Sequence, residues 1–155
     1  MSELKSVLLA IDVATRHRDD IGRLLAQVQQ KRSGAKDQME QLQSYATDTE
    51  SRWALSSRQR ATPEIMLHYH QFLDRLQQAV RLQAQVLATI EREFAEARKA
   101  LLDADVRVLT LSQLLRKKQA ALAKIQRGRE QRQLDEFAAM QHRRQNAGID
   151  TLESP

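Results

Sequence analysis

The chain has 155 residues, a formal net charge of +5 and no cysteine. Its length predicts a single domain, and the lack of cysteine excludes disulfides and thiolate metal sites. With only four Gly, two Pro and 4% aromatic residues, the composition is typical of long helices and argues against a sheet-based core.

A repeat of core positions at alternating three- and four-residue steps runs through the first third of the chain. Such a stripe on one side of a helix must be covered by another helix, as in a coiled coil. The repeat predicts a first helix over residues 4–55. Its polar members are interpreted as long side chains that reach outward from a loose seam. The positions are Val7, Ile11, Ala14, Arg18, Ile21, Leu25, Val28, Arg32, Ala35, Met39, Leu42, Ala46, Thr49 and Trp53.

The repeat stops at a predicted loop, residues 56–63. Thr62 followed by Pro63 is a strong helix start, because the threonine hydroxyl caps free N–H groups and proline suits the first helical position. A second helix is predicted over 64–144, with a slip in its stripe before Phe94 that shifts the seam. The remaining residues, 147–155, are expected to form a flexible tail. The stripe before the slip contains Ile65, Tyr69, Phe72, Leu76, Ala79, Gln83, Val86 and Ile90.

The predicted fold class is all-α, an antiparallel two-helix coiled-coil hairpin forming one domain over residues 1–146. Pairing about the loop places Leu4 near Leu114 or Leu115 and leaves the longer second helix overhanging from about Arg116. Between Arg116 and Arg144 there are nine basic and three acidic residues, a net charge of +6. An unpaired, basic segment with exposed apolar residues requires a partner.

No motif for catalysis or metal binding is found. The sequence lacks a glycine-rich phosphate loop, HExxH and GxSxG. His68 and His70 point about 200° apart on a helix and so cannot share a metal. The sequence therefore predicts an interaction protein without cofactor, not an enzyme. A basic helix that binds anionic lipid or nucleic acid, and a self-associating coiled coil, remain as alternatives.

Two motifs resemble the FliJ family of flagellar type III export proteins. His68-Tyr69-His70-Gln71-Phe72-Leu73 is similar to the start of that family's second helix, and Gln131 to Ala138 contains its Asp-Glu-Phe-Ala signature. The resemblance implies a coiled-coil stalk that inserts into the hexameric export ATPase, FliI, and promotes its assembly and activity. It also implies contact with the export-gate protein FlhA, the exchange of export chaperones that some members perform, and a monomer when free. The implied location is cytoplasmic, at the inner-membrane export apparatus. The equivalent stalk of a virulence secretion system shares the fold.

The resemblance also assigns residues to two contacts. Thr49 and Gln83 depart from the family pattern, which has an aromatic residue and a histidine there. The expected ATPase contact comprises Leu4, Leu8, Arg127, Arg129, Arg132, Leu134 and Phe137. The expected gate contact comprises Gln38, Leu42, Tyr45, Phe72, Leu76, Ala79 and Gln83.

Overall fold

A computed structural model describes the backbone of residues 2–60 and 62–152, and the side chains of residues 2–56 and 62–148. It contains two helices, α1 (Ser2–Arg60) and α2 (Pro63–Leu152), and no strand within those ranges. The predicted all-α fold with a longer second helix is confirmed.

Both helices are longer than the sequence predicts. The first continues beyond residue 55 to Arg60, because residues 56–60 contain neither glycine nor proline. The second begins at Pro63, where the Thr62 hydroxyl accepts a hydrogen bond from the Ile65 N–H at 3.3 Å. It continues through 147–152, where a flexible tail is expected, since Gly148 costs a helix only about 1 kcal/mol relative to alanine. Residues 153–155 of that tail lie outside the described residues.

The chain divides into two compact units. The larger, unit 2, comprises Ala14–Arg107, and unit 1 combines Met1–Val13 with Val108–Pro155. In each of them a part of α1 packs antiparallel to a part of α2. The prediction of one domain over 1–146 stays a prediction.

The seam of unit 2 follows the predicted stripe on α1, since Ala14, Ala35 and every repeat position between Ala14 and Trp53 are buried or half-buried. On α2 the buried stripe differs from the predicted one. Phe72 and Val86 are 38% and 47% exposed, and the half-buried positions lie one residue later. The observed stripe is Tyr69, Leu73, Leu76, Val80, Gln83, Leu87, Ile90, Phe94, Ala97, Leu101 and Ala104.

The predicted slip before Phe94 is therefore wrong. Steps of four and three residues lead from Tyr69 to Ala104 without interruption. The sequence offers two adjacent apolar rows, one through Phe72 and one through Leu73. The row through Leu73 keeps one heptad register across the unit, so it is the row that packs against α1.

Two polar seam residues of unit 2, Arg32 and Gln83, make bonds between the helices. The Arg32 Nε donates to Glu91 Oε1 at 2.7 Å, and its guanidinium lies 4.5 Å from the centroid of the Phe94 ring. The Gln83 amide donates to the Ala35 carbonyl at 2.9 Å. At Arg32 and Gln83 these bonds replace the interpretation of polar seam residues as outward-reaching side chains. They fix which residues of α1 face which residues of α2.

Unit 1 contains a short paired part and a long unpaired part. Val7 and Leu111 are buried, and the Lys118 ammonium lies 3.3 Å from Glu3 Oε2. Beyond Lys118, every described side chain of α2 from 119 to 148 is exposed. The predicted overhang of the second helix is thus confirmed. It begins at residue 119, three residues beyond Arg116, near which the sequence places it.

Within the described ranges, neither helix has a stretch long and apolar enough to cross a membrane. No group of three or more histidine or acidic side chains there has the arrangement of a metal site.

Candidate partner-binding surfaces

The expected gate-contact residues of unit 2 lie largely together. Gln38, Leu42, Tyr45 and Gln83 line one groove between the helices. The ring of Phe72 meets that of Tyr45 edge to face, with centroids 5.8 Å apart and planes inclined by 76°. Tyr45 is 55% exposed, so the aromatic pair presents apolar surface to solvent beside the groove. We call these five residues the aromatic groove.

Two other members of the expected set are positioned differently. Leu76 is only 8% exposed and belongs to the buried stripe, so it supports the fold and offers little surface to a partner. Ala79 is half-buried beside that stripe. Phe72 lies outside the stripe, which separates its role from that of Leu76.

The two departures from the family pattern have defined structural roles here. The Thr49 hydroxyl donates to the Tyr45 carbonyl at 2.7 Å within α1, a bond that holds the side chain against its own helix. Gln83, which joins the helices through Ala35, also donates to Gln38 Oε1 at 3.3 Å. Its amide group is therefore engaged within the protein, and it offers a partner less hydrogen-bonding capacity than an unengaged side chain.

A second aromatic contact was not assigned to any site from the sequence. The indole of Trp53 stacks on the Tyr69 ring, with centroids 4.1 Å apart and planes inclined by 7°. Both residues are seam positions of their helices, so the heptad pattern contains the signal for this pair. The face-to-face geometry follows only from the register of α1 against α2.

The expected ATPase-contact residues of unit 1 fall into two groups. Leu4 is half-buried between the helices, and Leu8 is 51% exposed beside them. The others lie on residues 119–148 of α2, which we call the projecting segment. Its large apolar side chains are 45–63% exposed, and they are Leu122, Ile125, Leu134, Phe137 and Met140.

The cations of the projecting segment are spread around the helix. At about 100° per residue, Arg129 and Arg132 lie only about 60° apart on one side of the helix, and Arg127 points to the opposite side, about 160° from Arg129 and 140° from Arg132. All three side chains are exposed. Continued from Lys118, the seam repeat passes through Leu122 and Ile125 and then reaches Arg129 and Arg132. The segment therefore has no continuous apolar face that one further helix would cover.

The model of the family described as flagellar FliJ protein matches residues 2–147 of the chain. The chain belongs to the FliJ family. This match confirms the resemblance drawn from the His68–Leu73 and Gln131–Ala138 motifs, and it makes the chain a component of flagellar protein export. The FliJ family consists of export components and not of known enzymes. No curated protein and no solved structure shows a significant match to this FliJ chain.

Proposed function

We propose that this FliJ protein is the stalk of the flagellar export ATPase. Its projecting segment inserts into the ring of FliI and promotes ring assembly and ATP hydrolysis. Its aromatic groove binds the export gate, FlhA, and so links the ATPase to the inner-membrane export apparatus. The stalk contributes binding surfaces and no catalytic group.

The distribution of charge around the projecting segment carries this proposal. A flat partner, such as a bilayer, contacts one side of a helix and leaves cations on the other sides in water. A socket that surrounds the helix meets all of them. Because Arg127 lies on the side of the helix opposite to Arg129 and Arg132, and all three are exposed, the segment suits a surrounding partner with an acidic lining.

The apolar residues of the segment supply the anchors. Leu134 and Phe137 are 63% and 61% exposed, so burying them against a partner removes most of their surface from water. Fully burying side chains of this kind stabilises an interface by about 1.5–3 kcal/mol each. A few such anchors with complementary charge are sufficient for a specific contact.

For the gate contact, the aromatic groove combines exposed rings with fixed polar groups. The Tyr45–Phe72 pair supplies apolar area. Gln83 and Gln38 hold the neighbouring wall of the groove in place through their hydrogen bond. A rigid surface of this kind binds without first ordering its own side chains.

The test of the ATPase contact is hydrolysis by FliI in the presence of variants of this protein. Arg129→Glu with Arg132→Glu is expected to reduce stimulation about tenfold or more, since two lost charge contacts of about 1 kcal/mol each become repulsive. The matched control is Arg98→Glu with Lys99→Glu, which reverses two exposed cations of unit 2. Circular dichroism is expected to show unchanged helicity in both variants.

Equal stimulation by the Arg129/Arg132 variant and the wild type would remove the projecting segment from the mechanism. Equal loss in both double variants would show that net charge, and not this segment, matters. Salt-dependent retention on DNA or on anionic vesicles that requires Arg129 and Arg132 would favour a nucleic-acid or lipid role for the segment. A mass larger than a monomer in solution would favour self-association.

A further inference from the structure

The apolar row of α2 that does not pack against α1 is open to solvent. Phe72, Ala79 and Val86 recur at seven-residue intervals, and Leu82 lies between the last two. Phe72, Leu82 and Val86 are 38%, 56% and 47% exposed, and Ala79 is half-buried. At about 100° per residue the four lie within about 80° of one another, on a side of α2 about 90° from the buried stripe. We call these four residues the open row.

The open row runs along two adjoining grooves of unit 2. At one end Phe72 meets Tyr45 in the aromatic groove. At the other end Val86 lines a second groove, and Gln38 lines both grooves. Phe72 and Val86 are separated by fourteen residues of one helix, which is about 21 Å or four helical turns. The surface is therefore longer than the aromatic groove alone.

Gly34 lowers the α1 wall of the second groove. It lines this groove beside Ala35 and opposite Val86. A Cβ added at Gly34 would meet no atom within 4 Å, so there is open space above the glycine. A partner's backbone is able to approach the wall closely at such a position.

The walls of these grooves favour a helix as the occupant. Both walls are α-helices, which engage their backbone N–H and C=O groups internally. An extended segment would find no strand edge on them and would have to leave its own backbone groups to water. A helix satisfies its own backbone, and a heptad repeat in it stays aligned with the seven-residue spacing of the open row.

Charged groups at the edges indicate what such a helix contains. Tyr45 belongs both to the aromatic groove and to a shallow groove on the outer side of α1. The other residues that line the outer groove are three carboxylates and two uncharged residues, Asp37, Glu40, Asp48, Gln41 and Ser44. The neighbouring Lys36 lies 3.9 Å from Glu91 Oε1, toward α2. The α1 edge thus complements cations of a partner.

The remaining charges near the grooves are balanced or isolated. Lys31 and Glu93 both line the second groove and offset each other. On α2, the exposed Arg75 lies between Phe72 and Leu82, on the same side of the helix. It suits one acidic residue on the partner's other edge.

We propose that the export gate, FlhA, occupies this surface with one amphipathic helix of about four turns. The apolar side of that helix packs on the open row, and its edge toward α1 has lysine or arginine residues that pair with Asp37, Glu40 and Asp48. The proposal rests on the gate contact proposed above for the aromatic groove. It adds Gly34, Leu82 and Val86 to the residues that bind the gate.

The decisive variant is Gly34→Leu, measured by equilibrium binding to the purified gate protein. The leucine fills the second groove, so binding is expected to weaken at least about tenfold. Leucine favours a helix more than glycine does, so the free energy of unfolding is not expected to fall. The matched control is Gly22→Leu, since a Cβ at Gly22 also meets no atom within 4 Å. The control is expected to bind as the wild type does.

A second variant removes apolar area from the open row. Leu82→Ser with Val86→Ser is expected to weaken gate binding about tenfold, because both side chains lose burial against the partner. Leu102→Ser with Val106→Ser changes two residues of unit 2 that are 58% and 60% exposed, and it is expected to leave binding unchanged. Circular dichroism checks that both double variants keep their helicity.

The absence of cysteine from the chain permits a direct footprint. Alkylation of Leu82→Cys and of Val86→Cys is expected to slow at least about fivefold when the gate protein is bound, because a packed contact excludes water and solutes. Gln77→Cys is the control. Gln77 lines a groove on the opposite side of the hairpin, and its alkylation is expected not to change.

Peptides test whether the occupant is a helix. Overlapping peptides of about 25 residues from the gate protein are long enough to contain a helix of four turns. One of them is expected to bind, to gain negative ellipticity at 222 nm on binding, and to bind Asp37→Lys with Asp48→Lys at least about tenfold more weakly. Binding of the whole gate protein without binding of any helical peptide would overturn the proposal.

The variants separate failure of this proposal from failure of the gate contact. If Phe72→Ala weakens gate binding but Gly34→Leu and the Leu82/Val86 variant do not, the gate contact stands and the four-turn helix is wrong. If none of the three weakens binding, the gate contact in the aromatic groove is also wrong. Equal weakening by Gly34→Leu and Gly22→Leu would remove Gly34 from the site and overturn its extension along the second groove.

Discussion

Replacement of Arg32 by alanine is expected to destabilise unit 2 by about 2 kcal/mol. Three interactions of this side chain are lost. Its Nε–H donates to Glu91 Oε1 at 2.7 Å, and its guanidinium lies over the Phe94 ring at 4.5 Å. Its aliphatic stem packs at a seam position of α1.

The magnitude follows from exposure. The side chains of Arg32 and Glu91 are 30% and 42% exposed, so the ion pair is screened and contributes about 0.5–1 kcal/mol. The cation–π contact adds about 0.5–1 kcal/mol at a site that is only partly desolvated. Loss of the half-buried stem adds about 0.5–1 kcal/mol of apolar burial. Arg32→Leu restores apolar packing in the seam, and its net cost is expected to be below about 1 kcal/mol, because apolar replacement of a paired charge is often close to neutral.

Urea unfolding followed by circular dichroism at 222 nm measures these changes, and Arg23→Ala serves as the control. Arg23 pairs with Asp20 on the surface of the same helix, with side chains 74% and 66% exposed, and its loss is expected to cost less than about 0.5 kcal/mol. A double-mutant cycle with Glu91→Ala is expected to give about 0.5–1 kcal/mol of coupling. If Arg32→Ala costs no more than Arg23→Ala and the coupling is zero, the bonds between the helices do not stabilise the seam.

Three further changes test other parts of the molecule. Phe72→Ala is expected to weaken binding to the purified gate protein at least tenfold. It is expected to cost less than about 1.5 kcal/mol of stability, because Phe72 lies outside the buried stripe. Unfolding of unit 2 by this change would instead show that Phe72 is a seam residue. Leu76→Ala is expected to cost about 2–3 kcal/mol in urea unfolding, since Leu76 is 8% exposed, and a cost near zero would contradict the assigned stripe. Gly34→Ala is expected to raise the free energy of unfolding by about 0.5–1 kcal/mol, because alanine favours the helix more than glycine does and the added Cβ meets no atom within 4 Å. A free energy of unfolding below that of the wild type would mean that the glycine has an unrecognised role.

The sequence predicts the helices and the first seam well because one periodicity determines both. On α1 the apolar row from Val7 to Trp53 has no competing row, so its buried face follows from spacing alone. On α2, Phe72, Ala79 and Val86 form a row next to Leu73, Val80 and Leu87. Spacing within a single helix does not decide between adjacent apolar rows. Packing against α1 decides, and it selects the row without a slip.

The candidate surfaces were predictable to different degrees. The exposure of Leu134 and Phe137 follows from the lengths of the two helices, which the sequence defines. The Tyr45–Phe72 contact depends on which residues of α1 lie opposite which residues of α2, and the sequence alone defines that register loosely. The hydrogen bond from Gln83 to the Ala35 carbonyl was not predictable, because a glutamine at a seam position has many rotamers and only the neighbouring backbone selects one.

The composition of the unit 2 seam explains why it needs polar bonds. Its buried apolar residues are Ala14, Ala35, Leu76 and Ala104, and three of these four are alanines. Small side chains let the helices approach closely, but they interlock weakly, so apolar burial alone favours one heptad register only slightly over the next. A shift by one heptad moves residues about 10 Å along the helix. Such a shift would carry Arg32 out of reach of Glu91 and break their bond. The main effect of the polar bonds is therefore to select one register, and their contribution to total stability is smaller. The same selection holds Tyr45 opposite Phe72, so the aromatic groove depends in part on the Arg32–Glu91 bond, which residues outside the groove make.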